Sequence, residues 1–334
     1  MIITNTQFPY TFSYPIDEDT FFLCIDTTGL QAEVSAITTI GIACYQDGNL
    51  MITQWFNESG FEQKEILVSF FHKISSKKTV ITYYGNRFTL PFLEKKALEY
   101  SLDNPLLSML HDDYYEILYP LRRILNLSSC RQSTVENYFK CNRTITMSGK
   151  KLIKQYQSYL KQKDNCIKDI LLLRNEETLK ILARFTSIFA YRDLKQGKLT
   201  KYSIKHKSLE KYQIKFSFSL PFSLFFPLNH SVNDVTISIV EKEGIITMPM
   251  DQNYMIKHYY PNPKDYDYLP LEDRSIHKSL SSFVSKEYKQ KATADTCYEK
   301  IPYDHPALLK ESSLKQFIAD TITYLLLERK DGRF

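Results

Sequence analysis

Two apolar runs joined by Asp47-Gly48 constrain this chain more than any other feature. The dipeptide tolerates the positive φ angles of a two-residue hairpin turn, so residues 36–45 (AITTIGIACY) and 50–56 (LMITQWF) are predicted to pair as antiparallel strands. A third strand precedes them. Residues 20–26 are apolar, rich in β-formers, and run directly into Asp26-Thr27-Thr28-Gly29. Three antiparallel strands therefore open the fold, and a carboxylate stands at the end of the first.

The hydrophobic period then changes. Residues 62–78 place Ile66, Leu67, Phe70 and Ile74 at helical intervals, residues 79–84 (TVITYY) read as a short buried strand, and Leu90-Pro91 suits the first turn of another helix. From 114 to about 192 the pattern is mostly helical, with breaks near 128 and at Ser148-Gly149. Antiparallel strands followed by alternating helices and strands predict a mixed sheet with helices on its faces. A polar, basic stretch at 192–203 reads as a linker. Beyond it, residues 212–226 alternate polar and apolar, 234–250 reads as strand, glycine-containing turn and strand, and 253–260 reads as a further strand. Two helical segments are predicted at 273–292 and 311–329, the second carrying Leu314, Phe317, Ile318, Ile322, Leu325 and Leu326 along one side.

A length of 334 residues with 43% hydrophobic content suits two domains. The N-terminus lacks the basic start and apolar run of a secretory signal, and no long uncharged apolar stretch follows, so a cytoplasmic protein without a membrane partner is expected. The six cysteines (Cys24, Cys44, Cys130, Cys141, Cys166, Cys297) are scattered, which indicates neither a zinc ribbon nor a disulfide framework. Charge is uneven: residues 150–215 hold 17 Lys or Arg against 6 Asp or Glu. That surplus suits either attraction of a phosphate backbone or the solvated faces of helices.

Alternate residues of a strand share a face, so Cys24 and Asp26 have the spacing at which a two-metal enzyme displays a carboxylate pair. Cysteine is a soft ligand, poorly matched to Mg²⁺ or Mn²⁺.

Residues 22–30 (FLCIDTTGL) look like a strand motif Asp-x-Glu-Thr-Thr-Gly-Leu, and 82–96 (TYYGNRFTLPFLEKK) like a Tyr-Asn-Gly-x-x-Phe-Asp-x-Pro segment. Residues 114–139 are similar to an Asp-Leu-containing element that follows these, 171–182 (LLLRNEETLKIL) to a helix beginning His-Asn-x-x-Asp, and 266–298 to a C-terminal region. Together they resemble the YprB-like ribonuclease H-fold proteins of clostridial type, relatives of the DEDD 3′-to-5′ exonucleases. The resemblance implies an α/β ribonuclease H-like domain, a mixed sheet flanked by helices, over residues 1–200, and a smaller α+β domain of unknown role over 201–334.

The family's motifs imply four metal-binding carboxylates and a histidine general base. Here the first Asp falls on Cys24 and the Glu on Asp26, the one carboxylate retained. The later Asp falls on Thr89, while His and Asp of the last helix fall on Arg174 and Thr178. Thr27-Thr28-Gly29-Leu30, Phe88, Pro91 and Asn175 still match. Arginine cannot act as a general base, and beside a divalent cation it repels.

Three readings follow from the resemblance. In the first, the chain is a pseudo-nuclease without a cofactor that binds single-stranded nucleic acid through Thr28, Gly29, Tyr84, Asn86, Arg87 and Arg174. In the second, Asp26, Glu177 and Asp112 or Asp113 rebuild a site for Mg²⁺ or Mn²⁺ and the chain is a working exonuclease. In the third, the domain is a scaffold for a protein partner. Arg174 either neutralises a phosphate in place of a cation or pairs with Asp26. Glu176 and Glu177 also suit an exposed helix start, Glu116 matches an Asp that is not a ligand, and Arg122 and Arg123 suit a helix surface. Glu272, Asp273, His277 and Lys278 read as an acidic helix start followed by a partly buried histidine.

Overall fold

In the computed structural model, which describes residues 1–198, 203–210 and 212–327, Asp47 and Gly48 take positive φ (50° and 77°) and Gln46 pairs with Asn49 across the turn. The chain forms two compact units: Met1–Tyr119 with Leu127–Ser187, and Pro120–Asn126 with the chain from Ile188 onward. Each is described separately.

The first unit runs β1 (Ile2–Pro9), β2 (Thr20–Thr27), β3 (Ile37–Gln46), β4 (Asn49–Phe56), α1 (Gln63–Ile74), β5 (Thr79–Thr82), α2 (Thr89–Glu99), β6 (Leu110–Asp113), α3 (Tyr114–Leu118), α4 (Gln132–Tyr138), α5 (Gly149–Gln162) and α6 (Asn165–Arg184). Six strands lie in the order β1-β4-β3-β2-β5-β6. The first three pairings are antiparallel and the last two parallel, so the sheet is mixed. Successive residues of β2 point to opposite faces. Phe21, Leu23 and Ile25 pack with Phe70, Leu67 and Phe92 of α1 and α2, whereas Cys24 and Asp26 face α6. On that second face Phe56 meets Tyr156, Tyr159 and Leu171.

Two strands carry no clear sequence signal. β1 alternates half-buried and exposed residues at the sheet edge, a pattern that its Asn, Gln and Thr residues blur. β6 is four residues of Leu-His-Asp-Asp, apolar only at its start, and is a strand because it pairs in parallel with β5. Arg122 and Arg123, expected on a helix, lie in a turn within the Pro120–Asn126 segment.

In the second unit the expected linker begins inside a helix: α7 (Ile188–Lys195) buries Tyr191 and Leu194, and residues 199–202 lie outside the described residues. There follow β7 (Ser203–Glu210), β8 (Gln213–Ser219), β9 (Leu228–Val232), β10 (Val235–Val240), β11 (Glu243–Pro249) and β12 (Met255–Tyr259). The order β7-β8-β11-β10-β9 makes an antiparallel sheet. The glycine expected in the β10–β11 turn sits within β11 instead. Glu241 takes the positive φ (53°), while Gly244 lies under Phe218, whose ring would meet a Cβ there at 2.2 Å.

β13 (Tyr266–Leu269), β14 (Arg274–His277), α8 (Lys278–Ser281), β15 (Gln290–Lys291), β16 (Tyr298–Pro302) and α9 (Glu311–Leu326) complete the described chain. The helix expected over 273–292 is therefore corrected to two strands, one α-helical turn and a 3₁₀ turn at Lys286–Tyr288. Its apparent apolar positions are not a core face: Phe283 is 89% exposed, and the segment is held by backbone pairing of β13 with β14 and β15. His277 is exposed, and its Nδ1 accepts from the Ser279 amide. Asp273 accepts hydrogen bonds from Tyr268 and Tyr298 and pairs with Lys300 at 2.6 Å. Burial raises its pKa, but these donors outweigh burial and hold it at about 2. Glu272 pairs with Arg274, so this cluster is a structural network. α9 matches the expected helix, with residues 328 and 329 outside the described residues.

His258 of β12 fastens α9 to the small β12–β16 ladder. Its Nε2 lies 3.1 Å from Asp320 Oδ2 and its Nδ1 3.6 Å from Glu299 Oε1, between the rings of Tyr260 and Phe317. Burial lowers its pKa, yet hydrogen bonds to Asp320 and Glu299 prevail and raise it from 6.5 to about 9. A histidine that binds its proton more tightly folded than unfolded contributes stability at low pH and loses it as pH rises. In urea denaturation the stability difference between wild type and His258→Gln is expected to be constant below pH 6.5 and to fall toward pH 9 by on the order of 3 kcal/mol.

Candidate functional site

Asp26 ends the regular pairing of β2 with β3, where the register shifts before Thr27. The side chain that organises it comes from α6. Asn175 Nδ2 donates to Asp26 Oδ2 at 2.9 Å and to Cys24 Sγ at 3.2 Å, and its Oδ1 accepts from Gln54 Nε2 of β4 at 3.0 Å. Gly41 of β3 leaves the room this needs, since a Cβ there would stand 2.0 Å from Asn175 Oδ1. Burial pushes the Asp26 carboxyl pKa up, opposed by the Asn175 hydrogen bond and by Arg174 and Arg143. Burial and the adjacent Asp26 raise the Cys24 thiol far above its usual range, which keeps it neutral.

Arg174 points along its own helix. Its Nη1 donates to Thr178 Oγ1, which also accepts from Arg143 Nη1 at 3.1 Å. Arg143 is held by Glu136, with Nε at 2.7 Å from Oε2 and a second, parallel bond. Arg174 Nε is buried without a hydrogen-bond partner. Burial and the neighbouring Arg143 lower its pKa, while Asp26, Cys24 and Glu136 act the other way. Asp26 is thus held by Asn175, and the expected Arg174–Asp26 pair does not form.

A cleft of about 450 Å³ opens beside Asp26, walled by Thr27, Gly29, Leu30, Phe88, and Lys150 and Tyr156 of α5. Of the expected site residues, Asp26 and Gly29 line it. Thr28 does not: its hydroxyl accepts from the Ala36 amide at 2.8 Å and fixes the loop. Thr89 is buried at the start of α2. Tyr84, Asn86 and Arg87 form a separate surface group. Arg87 lies over the rings of Tyr84 (5.6 Å) and Tyr115 (5.0 Å) and pairs with Glu116 at 3.0 Å. Asp113 orders this loop by accepting from the amides of Tyr84 and Asn86 at 2.8 and 3.0 Å.

The carboxylates expected to rebuild a metal site do not converge. Glu177 accepts from the amides of Thr144 (2.6 Å) and Ile145 (3.2 Å), Glu176 from Thr6 (3.0 Å) and Lys180 (2.7 Å), and Asp113 from the Tyr84 loop. Both lie inside α6, which starts at Asn165, so the expected helix start is corrected: Glu177 is the staple of a loop and Glu176 is tied to β1. Among the described residues no group of three His, Cys, Asp or Glu is placed to hold a metal ion. Hard divalent cations require several oxygen ligands, and one carboxylate among a thiol, an amide and guanidinium groups does not fit a pair of them.

Lys150, Tyr156 and Arg143 were not among the expected site residues. The signal for the first two was the Ser148-Gly149 break, because Ser148 caps α5 and thereby brings the helix start to the cleft. Arg143 lies in an irregular segment that no periodicity marks.

A family model described as the RNase_H superfamily matches residues 21–189. A search of curated proteins finds no match. Among solved structures, the chain is similar to the family B DNA polymerase of the hyperthermophilic archaeon Pyrobaculum calidifontis, at 11% identity and a TM-score of 0.43, covering 92% of this chain and 46% of that one. It is also similar to Brucella melitensis NrnC with bound Mg²⁺ (15% identity, TM-score 0.28, 53% of this chain and 85% of that one). A third is E. coli Exonuclease I in complex with a dT13 oligonucleotide (11% identity, TM-score 0.30, 92% and 71%). The chain spans less than half the length of the polymerase.

Asn175→Ala would strip Asp26 and Gln54 of their shared partner and should destabilise the protein by about 3 kcal/mol in urea denaturation. Asp26→Asn should instead stabilise it at neutral pH. A carboxyl with a raised folded-state pKa favours the folded protein only while protonated, so the advantage of the variant should shrink as pH falls through that pKa.

Proposed function

Because this chain belongs to the RNase H superfamily, we propose that it is a pseudo-nuclease of that superfamily, of the YprB-like type with replaced catalytic positions, which binds single-stranded nucleic acid without hydrolysing it. The observation that carries this reading is the lone carboxylate in the cleft: Asp26 is capped by the Asn175 amide, and Arg174 and Arg143 stand nearby where a nuclease needs negative charge. Hydrolysis by two metal ions needs several converging carboxylates to hold the pair.

Binding needs less. The cleft offers Phe88, the 82% exposed Leu30 and the backbone of Gly29 as its lining. Lys150 and the first turn of the 14-residue α5 supply positive charge suited to a phosphate. The exposed Tyr84 and Arg87 and the half-buried Tyr115 make a second surface of stacking faces and a guanidinium, the mixture that holds single strands with little sequence preference.

The test is a 3′-labelled single-stranded oligonucleotide incubated in Mn²⁺ with and without EDTA, with anisotropy recorded in the same samples. No chelator-sensitive cleavage is expected. Binding should weaken with salt, and Lys150→Ala should lower its affinity and reduce the salt slope by about one. Chelator-sensitive cleavage that vanishes in Asp26→Ala would overturn the reading in favour of a working exonuclease. Absence of both signals would leave a scaffold for a protein partner.

A further inference from the structure

The second unit holds an aromatic slot that the superfamily cleft does not account for. A small cavity of about 190 Å³ is lined by Leu209, Glu210, Tyr212, Met250, Tyr254 and Tyr303. The rings of Tyr212 and Tyr254 are nearly parallel, 19° apart with centroids 6.4 Å from each other, and remain 47% and 54% exposed. The Tyr303 ring closes one end, tilted 56° to Tyr254.

These rings are held in place by main chain. Met250 N donates to Tyr212 O at 2.9 Å, Tyr303 N to Tyr254 O at 3.1 Å, and Asp251 accepts from the amides of Asn253 and Met255, each at 2.9 Å. Tyr212 and Tyr254 both take a φ of 58°, the left-handed region that a bulky side chain enters at a cost. Half-exposed rings recover little of that cost by burial.

The chemistry of the slot selects among ligands. A cage for a quaternary ammonium surrounds the cation with steeply inclined rings, whereas two of these rings are nearly parallel, and the Glu210 carboxylate is paired with Lys215 at 2.6 Å. Flat faces suit a flat ring. Tyr212 and Tyr254 stack too closely on one another to take a ring between them, so a heterocycle would lie in the cavity against their exposed faces, and a base in a duplex has no free face to offer. Lys207, whose Nζ donates to Tyr303 O at 2.5 Å and lies 5.6 Å from the Tyr303 ring centroid, brings a cation beside the third ring.

We propose that Tyr212, Tyr254 and Tyr303 form a stacking site for a single unpaired nucleobase. The inference rests on the reading that the protein binds single-stranded nucleic acid, and adds a contact on a unit to which that reading assigns none.

The test uses the full chain and two probes: 2-aminopurine riboside, whose fluorescence is quenched on stacking, and a labelled oligothymidylate read by anisotropy. Wild-type protein and Lys150→Ala should quench the riboside, Tyr254→Ala and Tyr212→Ala should not, and Tyr254→Phe should behave as wild type. Each alanine variant should weaken the oligonucleotide about tenfold, with no such effect on an abasic strand. Wild-type strand affinity in Tyr254→Ala alongside a loss in Lys150→Ala would overturn the slot and leave the cleft reading standing. Quenching without strand binding would keep the slot and sink the cleft reading. Displacement of the riboside by a trimethyl-lysine peptide at lower concentration than by thymidine would overturn the assignment to a base.

Discussion

The amide of Asn175 ties the first unit together. Its donor reaches Asp26 and Cys24 on β2, its acceptor reaches Gln54 on β4, and it passes over Gly41 on the strand between them. Helix α6 can lie this close to the sheet because residue 41 lacks a side chain. Its register then determines the rest: Arg174 and Thr178 are one turn apart beside the cleft residues, while Glu176 and Glu177 are carried to Thr6 and to the 144–145 backbone. A group on the neighbouring turn of α6 cannot be recruited to Asp26 without breaking one of these bonds.

Charge then limits what the region can hold. Around Arg174 stand two guanidiniums, its own and that of Arg143, and two carboxylates, Asp26 and Glu136. The four already balance. Adding a divalent cation would leave its charge uncompensated in a partly buried setting, where Coulomb energies exceed those in water and unpaired charge is costly. Thr178 adds to this. Its hydroxyl oxygen accepts from both arginines and so holds two like charges near one another, a role that a neutral acceptor can fill and a cation cannot.

Much of this fold was legible because its hairpin and helices obey local rules. Asp47-Gly48 required a turn, residues 62–78 had one apolar face, and α9 buries the residues that its spacing named, although from Phe317 to Leu326 it is buried on its other sides as well. What escaped depends on partners distant in sequence. β6 is a strand only beside β5, and Gly244 belongs to a strand because of a phenylalanine on β8. Residues 273–292 differ from the expected helix for the opposite reason, since their apolar Leu280 and Phe283 are not buried. The candidate site divides the same way. Asp26 and Gly29, which line the cleft, stand in a contiguous motif, whereas the loop-binding role of Glu177 and the proximity of Arg143 arise only from tertiary placement.

The positions at which the family resemblance holds and fails differ in kind. Thr28 fixes the Ala36 loop through its hydroxyl, Gly29 leaves room for Ser35, and Asn175 spaces helix from sheet. These residues shape the cleft, and each acts by hydrogen bonding or by absence of bulk. Cys24, Thr89, Arg174 and Thr178 stand where the resemblance would place ionisable ligands or a base, and here they supply a neutral thiol, two hydroxyls and a permanent cation. The two classes answer to different constraints, because losing a shape-determining residue costs folding stability while losing a ligand costs only chemistry. On the proposed reading, a chain that keeps the first class and lacks the second retains a cleft shaped for a strand without the carboxylates that would hold the metal ions to cut it.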